Sequence, residues 1–446
     1  MRALHRQIRI FSLVLLTVPF VSACGATWTD EYKQGAAALK AAQFDAAENH
    51  LQAAAQAAVR AGNPEGEAIS ILGLARTHME EGEYNQAHPL FLQVVKMLEK
   101  SRGPNSPTLA QTLIELGACL YQEQEFNQAE PICKRALDIE LKLPKAKQSV
   151  SVIATAYNNI GLIAKNREDL STAETNFRKA IEIYKSDTSA GGHSGLVQTY
   201  CNLAALYNHQ ERYEEARAAA AEAMTLQKTM LPGDDIAFAS ILNTVASIDR
   251  AQLDNEAAAN EYSEAIMVLK KHQGKGSAFE KSLCDTMDNL ADLQMDERDV
   301  DLAEKTYLES IQHCLNARGA NHPCYAERLV DLGELYRDTD RYAQAENALE
   351  RALAVYSASY DSESPIVINT INELSEVYLA EHKFAEANAL YEEWLPRLRH
   401  ELGEEHPRVA DALDNWALVA EKSNSTGQAR DLRAAAKKIR LTLTRQ

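Results

Sequence analysis

The sequence predicts an all-α fold, a solenoid of about ten antiparallel helix pairs. Three observations carry this. Good helix formers dominate: 46% of the 446 residues are hydrophobic, against only 19 glycines and 12 prolines, a balance that favours helices joined by short connections. Few β-branched runs occur, which argues against a sheet domain. One pattern of small residues recurs ten times, as it does in repeat architectures.

The pattern is anchored on a small residue at Gly35, Ala75, Gly117, Gly161, Ala204, Ala246, Ala291, Gly333, Ser375 and Ala417, at intervals of 40 to 45 residues. Twelve residues after each anchor stands an alanine: Ala47, Ala87, Ala129, Ala173, Ala216, Ala258, Ala303, Ala345, Ala387 and Ala429. Seven residues further come Ala54, Val94, Ala136, Ala180, Ala223, Ala265, Ser310, Ala352, Trp394 and Ala436. Nine residues after the anchor, an aromatic or aliphatic side chain is usual: Phe44, Tyr84, Phe126, Leu170, Tyr213, Val300, Tyr342 and Phe384. Asn255 and Thr426 depart from this column. Where two helix axes come closest, only Gly, Ala or Ser leaves room for the partner backbone, and a larger side chain beside the turn fills the wedge.

These columns resemble the tetratricopeptide repeat, particularly its 42-residue form in kinesin light chains. Residues 126–139 (FNQAEPICKRALDI) are similar to that form's second helix, and the turns Gly319–Pro323 and Gly403–Pro407 match its inter-repeat turn. The resemblance implies a right-handed superhelix over residues 24–446. Its repeats run approximately 28–67, 68–109, 110–153, 154–196, 197–238, 239–283, 284–325, 326–367, 368–409 and 410–446. The polar turn 423–427 suits an atypical last repeat. The heptad segment of kinesin light chains is missing, so cargo transport by a motor does not carry over. The glycine-bearing stretches 191–195 and 274–277 are expected to be the loosest inter-repeat loops.

Ahead of the repeats, Arg2, Arg6 and Arg9 precede an apolar stretch at 10–21 that is too short to span a bilayer. This order describes a secretory signal over residues 1–23. Val21, Ser22, Ala23 and Cys24 resemble a bacterial lipobox, which implies lipidation of Cys24 and a chain anchored outside the cytoplasm. Gly25 leans toward an outer membrane where one exists; a secreted chain is the alternative.

The formal net charge is -18. Nucleic acid needs clustered Lys and Arg, so it is not an expected partner. The seven cysteines, Cys24, Cys119, Cys133, Cys201, Cys284, Cys314 and Cys324, show no paired spacing. The internal ones are expected to be buried thiols rather than disulfides or metal ligands. His313, Cys314, His322 and Cys324 form a tight group, but their spacing is wrong for zinc fingers, and the family's turn carries a histidine at His322. Nucleophile, zincin and phosphate-loop motifs are missing. No catalytic residue, cofactor, metal or small-molecule substrate is therefore expected.

By the resemblance, side chains three before and one after each anchor face the groove of the superhelix. The first set includes Asn158, Cys201, Asn243, Asp288, Asn372 and Asp414, and the second includes Arg76, Leu162, Asp292, Glu334, Glu376 and Leu418. The asparagines could hold an extended peptide backbone. Asp285, Asp288, Asp292 and Asp296, with Glu327, Glu334 and Asp338, crowd like charges on helix faces. That density suits a basic peptide, although a solvated acidic face is an equal reading. The expected function is a membrane-anchored scaffold that binds a protein segment. A permanent structural or regulatory subunit of an envelope assembly is the alternative, and an enzyme with an unrecognised site is a remote one.

Overall fold

The computed structural model describes residues 26–187, 189–272, 277–361 and 364–443, so the signal and Cys24 lie outside the described residues. These residues form twenty α-helices, with no strand among them. The N-terminal helices are α1 (Ala26–Lys40), α2 (Phe44–Arg60), α3 (Pro64–Glu81), α4 (Tyr84–Arg102), α5 (Pro107–Gln122), α6 (Phe126–Lys142) and α7 (Val150–Asn166). Next come α8 (Leu170–Tyr184), α9 (Ala190–His209), α10 (Tyr213–Met230), α11 (Asp235–Ala251), α12 (Asn255–Lys270) and α13 (Ser277–Asp296). The remaining seven are α14 (Val300–Arg318), α15 (Pro323–Asp338), α16 (Tyr342–Ser359), α17 (Pro365–Ala380), α18 (Phe384–Leu402), α19 (Pro407–Lys422) and α20 (Thr426–Leu443). They divide into two compact bodies, Met1–Arg298 and Asp299–Gln446, with the boundary between α13 and α14.

Every even-numbered helix starts at the position nine residues after an anchor, from Phe44 to Thr426. The turn before it has one geometry. The residue seven after the anchor takes a positive φ of 54–64° at Ala42, Gln124, Glu168, Glu211, Leu253, Arg298, Asp340, His382 and Asn424, and 79° at Gly82. The next residue's N–H then reaches back to the carbonyl five residues earlier, as from Gln43 to Ala38, Glu83 to His78, Arg212 to Tyr207 and Lys383 to Tyr378. This closure satisfies carbonyls that the helix end would otherwise leave unpaired. Many odd-numbered helices start on proline, where the missing N–H costs little. The His322 and His406 rings cap α15 and α19 by accepting from the N–H groups of Cys324 and Arg408.

Anchors and alanine columns pack as expected. All ten anchors and all ten alanines twelve residues on are buried. A Cβ on Gly161 would stand 2.7 Å from the Phe177 ring, and one on Gly333 2.9 Å from Leu349. Both neighbours lie sixteen residues after the anchor, so one bulky side chain of the second helix needs the small residue opposite it. In the N-terminal body one apolar core runs continuously from Ile71 to Ile248. In the C-terminal body, Leu395, Leu398, Leu413 and Ile439 close the last two repeats.

Two expectations are corrected. Residues 191–195 are not a loop: they form the first turns of α9, capped by Ser189, whose hydroxyl accepts from Gly192 N–H. Gly195 is needed there because any Cβ would collide with the Tyr184 ring. The companion stretch 274–276 lies outside the described residues. Cys314 and Cys324, expected to be inert thiols, are joined in a disulfide that ties the last turns of α14 to the first turn of α15. Cys119, Cys133, Cys201 and Cys284 are buried thiols outside any disulfide, as expected.

Candidate functional site

The face carried by the odd-numbered helices is the candidate binding surface, and its character differs between the two bodies. In the N-terminal body its polar side chains hold one another. Arg76 and Glu115, both buried, form a two-pronged pair between α3 and α5 (Nε–Oε2 2.8 Å, Nη2–Oε1 2.7 Å), and Gln111 adds a third hydrogen bond. Burial opposes the Arg76 charge, but the Glu115 carboxylate outweighs it and holds the guanidinium above its usual pKa. Asn158 is buried, and its Oδ1 accepts from Asn202 Nδ2 across the α7–α9 junction (2.9 Å). Asn243 donates to Thr286 across α11–α13 (2.8 Å). Cys201 is fully buried, and burial pushes its thiol up to about 12. Helix α13 approaches α3 to within 8 Å between Cα atoms, so this face narrows on itself.

Asn158 and Cys201 are thus buried, and Asn158 is held against the first helix of the next repeat. The acidic zone is partly internal. Asp288 is buried and Asp292 half-buried. Asp285 meets Lys281 Nζ at 3.1 Å, and Asp296 pairs with Arg250. Charge that looks surplus along the sequence is partly neutralised inside the chain.

In the C-terminal body the corresponding positions are more exposed. Glu334, Asn372 and Asp414 are half-buried, Glu376 is exposed, and Leu418 is 44% exposed. Asn372 Oδ1 accepts from Asn415 Nδ2 and Tyr391 OH, both at 3.0 Å. Arg337 lies beside Glu376, Glu373 and Asp338, and Arg440 beside Asp411 and Asp414. The surface is mixed in charge at its edge, with an apolar side chain at Leu418.

A junction clasp escaped the sequence reading. In the fifth repeat Arg212 grips Glu174 of the fourth (2.7 Å), with Tyr207 OH 3.0 Å from the same carboxylate and its ring beneath the guanidinium. Hydrogen bonds, first from Arg212 and then from Arg178 and Tyr207, outweigh burial and hold Glu174 down at about 2. Arg341, Glu304 and Tyr336 repeat this arrangement in the C-terminal body, and Lys383 with Glu346 keeps its ion pair. The available signal was a glutamate directly after the invariant alanine and a cation eight residues after the next anchor.

Paired helices of one length, closed by one turn and stacked through one alanine column, define a tandem helical-repeat protein. Tetratricopeptide repeat profiles match residues 67–142, 152–229, 282–358 and 367–408, more than half of the chain. The chain belongs to the tetratricopeptide repeat family. It is 21% identical over 362 residues to the kinesin light chain-related protein 3 of Arabidopsis thaliana, covering 78% of this chain and 52% of that one. It is 31% identical over 88 residues to mouse nephrocystin-3, covering 20% of this chain and 7% of that one. The chain thus spans about half the length of the first relative and a small part of the second. Among solved structures, the apo form of RapI aligns with a TM-score of 0.52 at 13% identity, over 64% of this chain and 97% of that one. BtubC from P. vanneervenii aligns with a TM-score of 0.44 at 21% identity, over 53% and 94%.

Proposed function

We propose that this protein is an envelope scaffold, anchored through Cys24, that binds a peptide or protein segment on the face formed by α15, α17 and α19. The observation that carries the reading is the contrast between the two faces. The N-terminal one is closed by its own buried pairs, whereas Glu376 and Leu418 are exposed and Glu334, Asn372 and Asp414 half-buried. Carboxylates beside an exposed leucine suit a segment that presents Lys or Arg next to an apolar side chain. The Cys314–Cys324 disulfide supports a location outside the cytoplasm, because such bonds persist in oxidising compartments. The lipobox-like residues 21–24 support the anchor.

A photo-crosslinking residue at Glu376 or Leu418 tests the binding face, with the same residue at buried Leu162 as the control. Capture of one protein at both C-terminal positions and none at Leu162 is expected; equal capture at all three would defeat the assignment. Palmitate incorporation into the wild type but not into Cys24→Ala tests the anchor.

A further inference from the structure

In nine of the ten repeats the turn after the first helix folds the residue eight after the anchor back onto the residue three after it, through the same backbone hydrogen bond. In the clasp these two side chains lie beside the residue thirteen after the anchor of the preceding repeat, as Tyr207 and Arg212 do at Glu174. In the fifth, eighth and ninth repeats the folded-back residue is a cation, Arg212, Arg341 or Lys383, gripping Glu174, Glu304 or Glu346. In the second repeat the three places hold His78, Glu83 and Glu48, so a carboxylate stands where those three repeats have a guanidinium or ammonium; the third, fourth, sixth and seventh repeats also carry an acid there (Glu125, Asp169, Asp254 and Asp299), but only the second sets a histidine beside it.

The substitution gathers ligands. Glu83 Oε2 lies 2.8 Å from His78 Nδ1 and Glu81 Oε2 lies 3.8 Å from it; the three ligand atoms all fall within 4.8 Å of one another. His78 is more than nine-tenths buried. Glu48 is close enough for its charge to act on the same ring; burial opposes the charged imidazole, and the surrounding carboxylates outweigh it. The left-handed Gly82 and the Glu83 N–H to His78 C=O bond (2.9 Å) fix the site's backbone. Tetrahedral zinc with one imidazole and two carboxylates sets its ligand atoms about 3.3 Å apart. Small side-chain rotations therefore convert the hydrogen-bonded cluster into a coordination shell, with water in the remaining position.

We propose that the junction between the first two repeats is a binding site for one divalent cation of the zinc class, held by His78, Glu81 and Glu83. The bound ion takes the structural place of the clasp cation found at other junctions. Mixed imidazole and carboxylate donors select zinc over calcium, which takes more oxygen ligands.

The test uses the full chain without a polyhistidine tag, titrated with zinc chloride in a calorimeter, with thermal unfolding followed in parallel. One zinc per chain is expected to bind at micromolar or lower concentration and to raise Tm by several degrees; calcium chloride should do neither. His78→Ala and Glu83→Gln should each weaken zinc at least about ten-fold. Glu83→Arg restores the clasp cation opposite Glu48. It should be at least as heat-stable as the wild type without metal and show no zinc-dependent shift. Absence of zinc binding to the wild type, or binding of equal strength in Glu83→Gln and Glu83→Arg, overturns the proposal. Glu83→Gln, which barely changes size, decides the matter if another variant fails to fold.

Discussion

The two bodies share one repeat pattern but use its inner face differently. In the N-terminal body that face carries struts between neighbouring helices: Arg76 with Glu115, Asn158 with Asn202, Asn243 with Thr286. In the C-terminal body it carries charges paired at the rim, such as Asp414 with Arg440. The asparagine strut recurs in the C-terminal body, where Asn372 accepts from Asn415, but Asn372 is half-buried and Asn158 is buried, so the same position is more open there. The largest test of this contrast is Glu115→Ala. It leaves the buried Arg76 uncompensated and should cost about 3–5 kcal/mol in urea unfolding. Asp414→Ala removes a pair with both partners more than a third exposed and should change stability by no more than about 1 kcal/mol. Comparable losses in the two variants would erase the distinction.

The disulfide sharpens the comparison from the other side. Cys314 and Cys324 enclose a short loop, ten residues apart in sequence, and chain-entropy reasoning assigns such a loop about 2–3 kcal/mol. Cys324→Ser should lose that much, and a reductant should destabilise the wild type equally while leaving Cys324→Ser unchanged. A wild type indifferent to reductant would remove the bond from the account.

How much of this was legible depends on which force writes each feature. The anchors and alanines were readable because steric exclusion at a close helix crossing admits only three residue types. The left-handed turn position was not: Ala42, Gln124, Glu168, Leu253, Asp340 and His382 have nothing in common, since the surrounding hydrogen bonds impose the conformation on whatever residue stands there. The groove positions were assigned to the right helices. Whether Asn158 faces water or Asn202 depends on a distance between repeats that no single repeat encodes. The Cys314–Cys324 pair was hidden for a similar reason, because only the inter-repeat turn brings the two thiols together.

A further difference lies in acid-dependent stability. In the N-terminal body, Glu261 is pushed up to about 8 by burial, then by its hydrogen bond to Asp249 and that carboxylate's charge; Arg217 opposes this and Asp254 adds to it. The folded value lies above the ordinary 4.5. The folded chain therefore keeps a proton that the unfolded chain releases, and the contribution present at acid pH is lost as pH rises through about 8. Glu261→Gln should flatten the fall in stability between pH 5 and 8 by on the order of 1 kcal/mol. Clasp glutamate Glu174 acts in the opposite sense. Its lowered pKa contributes stability above the ordinary 4.5 that is lost as pH falls toward 2. An unchanged pH profile in Glu261→Gln would leave the Asp249–Glu261 contact without thermodynamic weight.

The smallest expected effect concerns the turns. Leu253 has a φ of 64° and is 85% exposed, so it carries the strain of a left-handed side chain with almost no packing in return. That conformation costs a non-glycine residue about 1–2 kcal/mol, and glycine's greater freedom in the unfolded chain cancels part of the relief. Leu253→Gly should therefore raise stability by about 0.5–1 kcal/mol, measured as a shift of the urea midpoint with an unchanged slope. The mirror experiment is Gly82→Ala, which introduces the strain at the one turn of the ten that holds glycine there and should lower stability by a similar amount. If Leu253→Gly destabilised the chain instead, the exposed leucine would have to contribute a contact outside its own repeat, and the shared turn geometry would no longer account for that position.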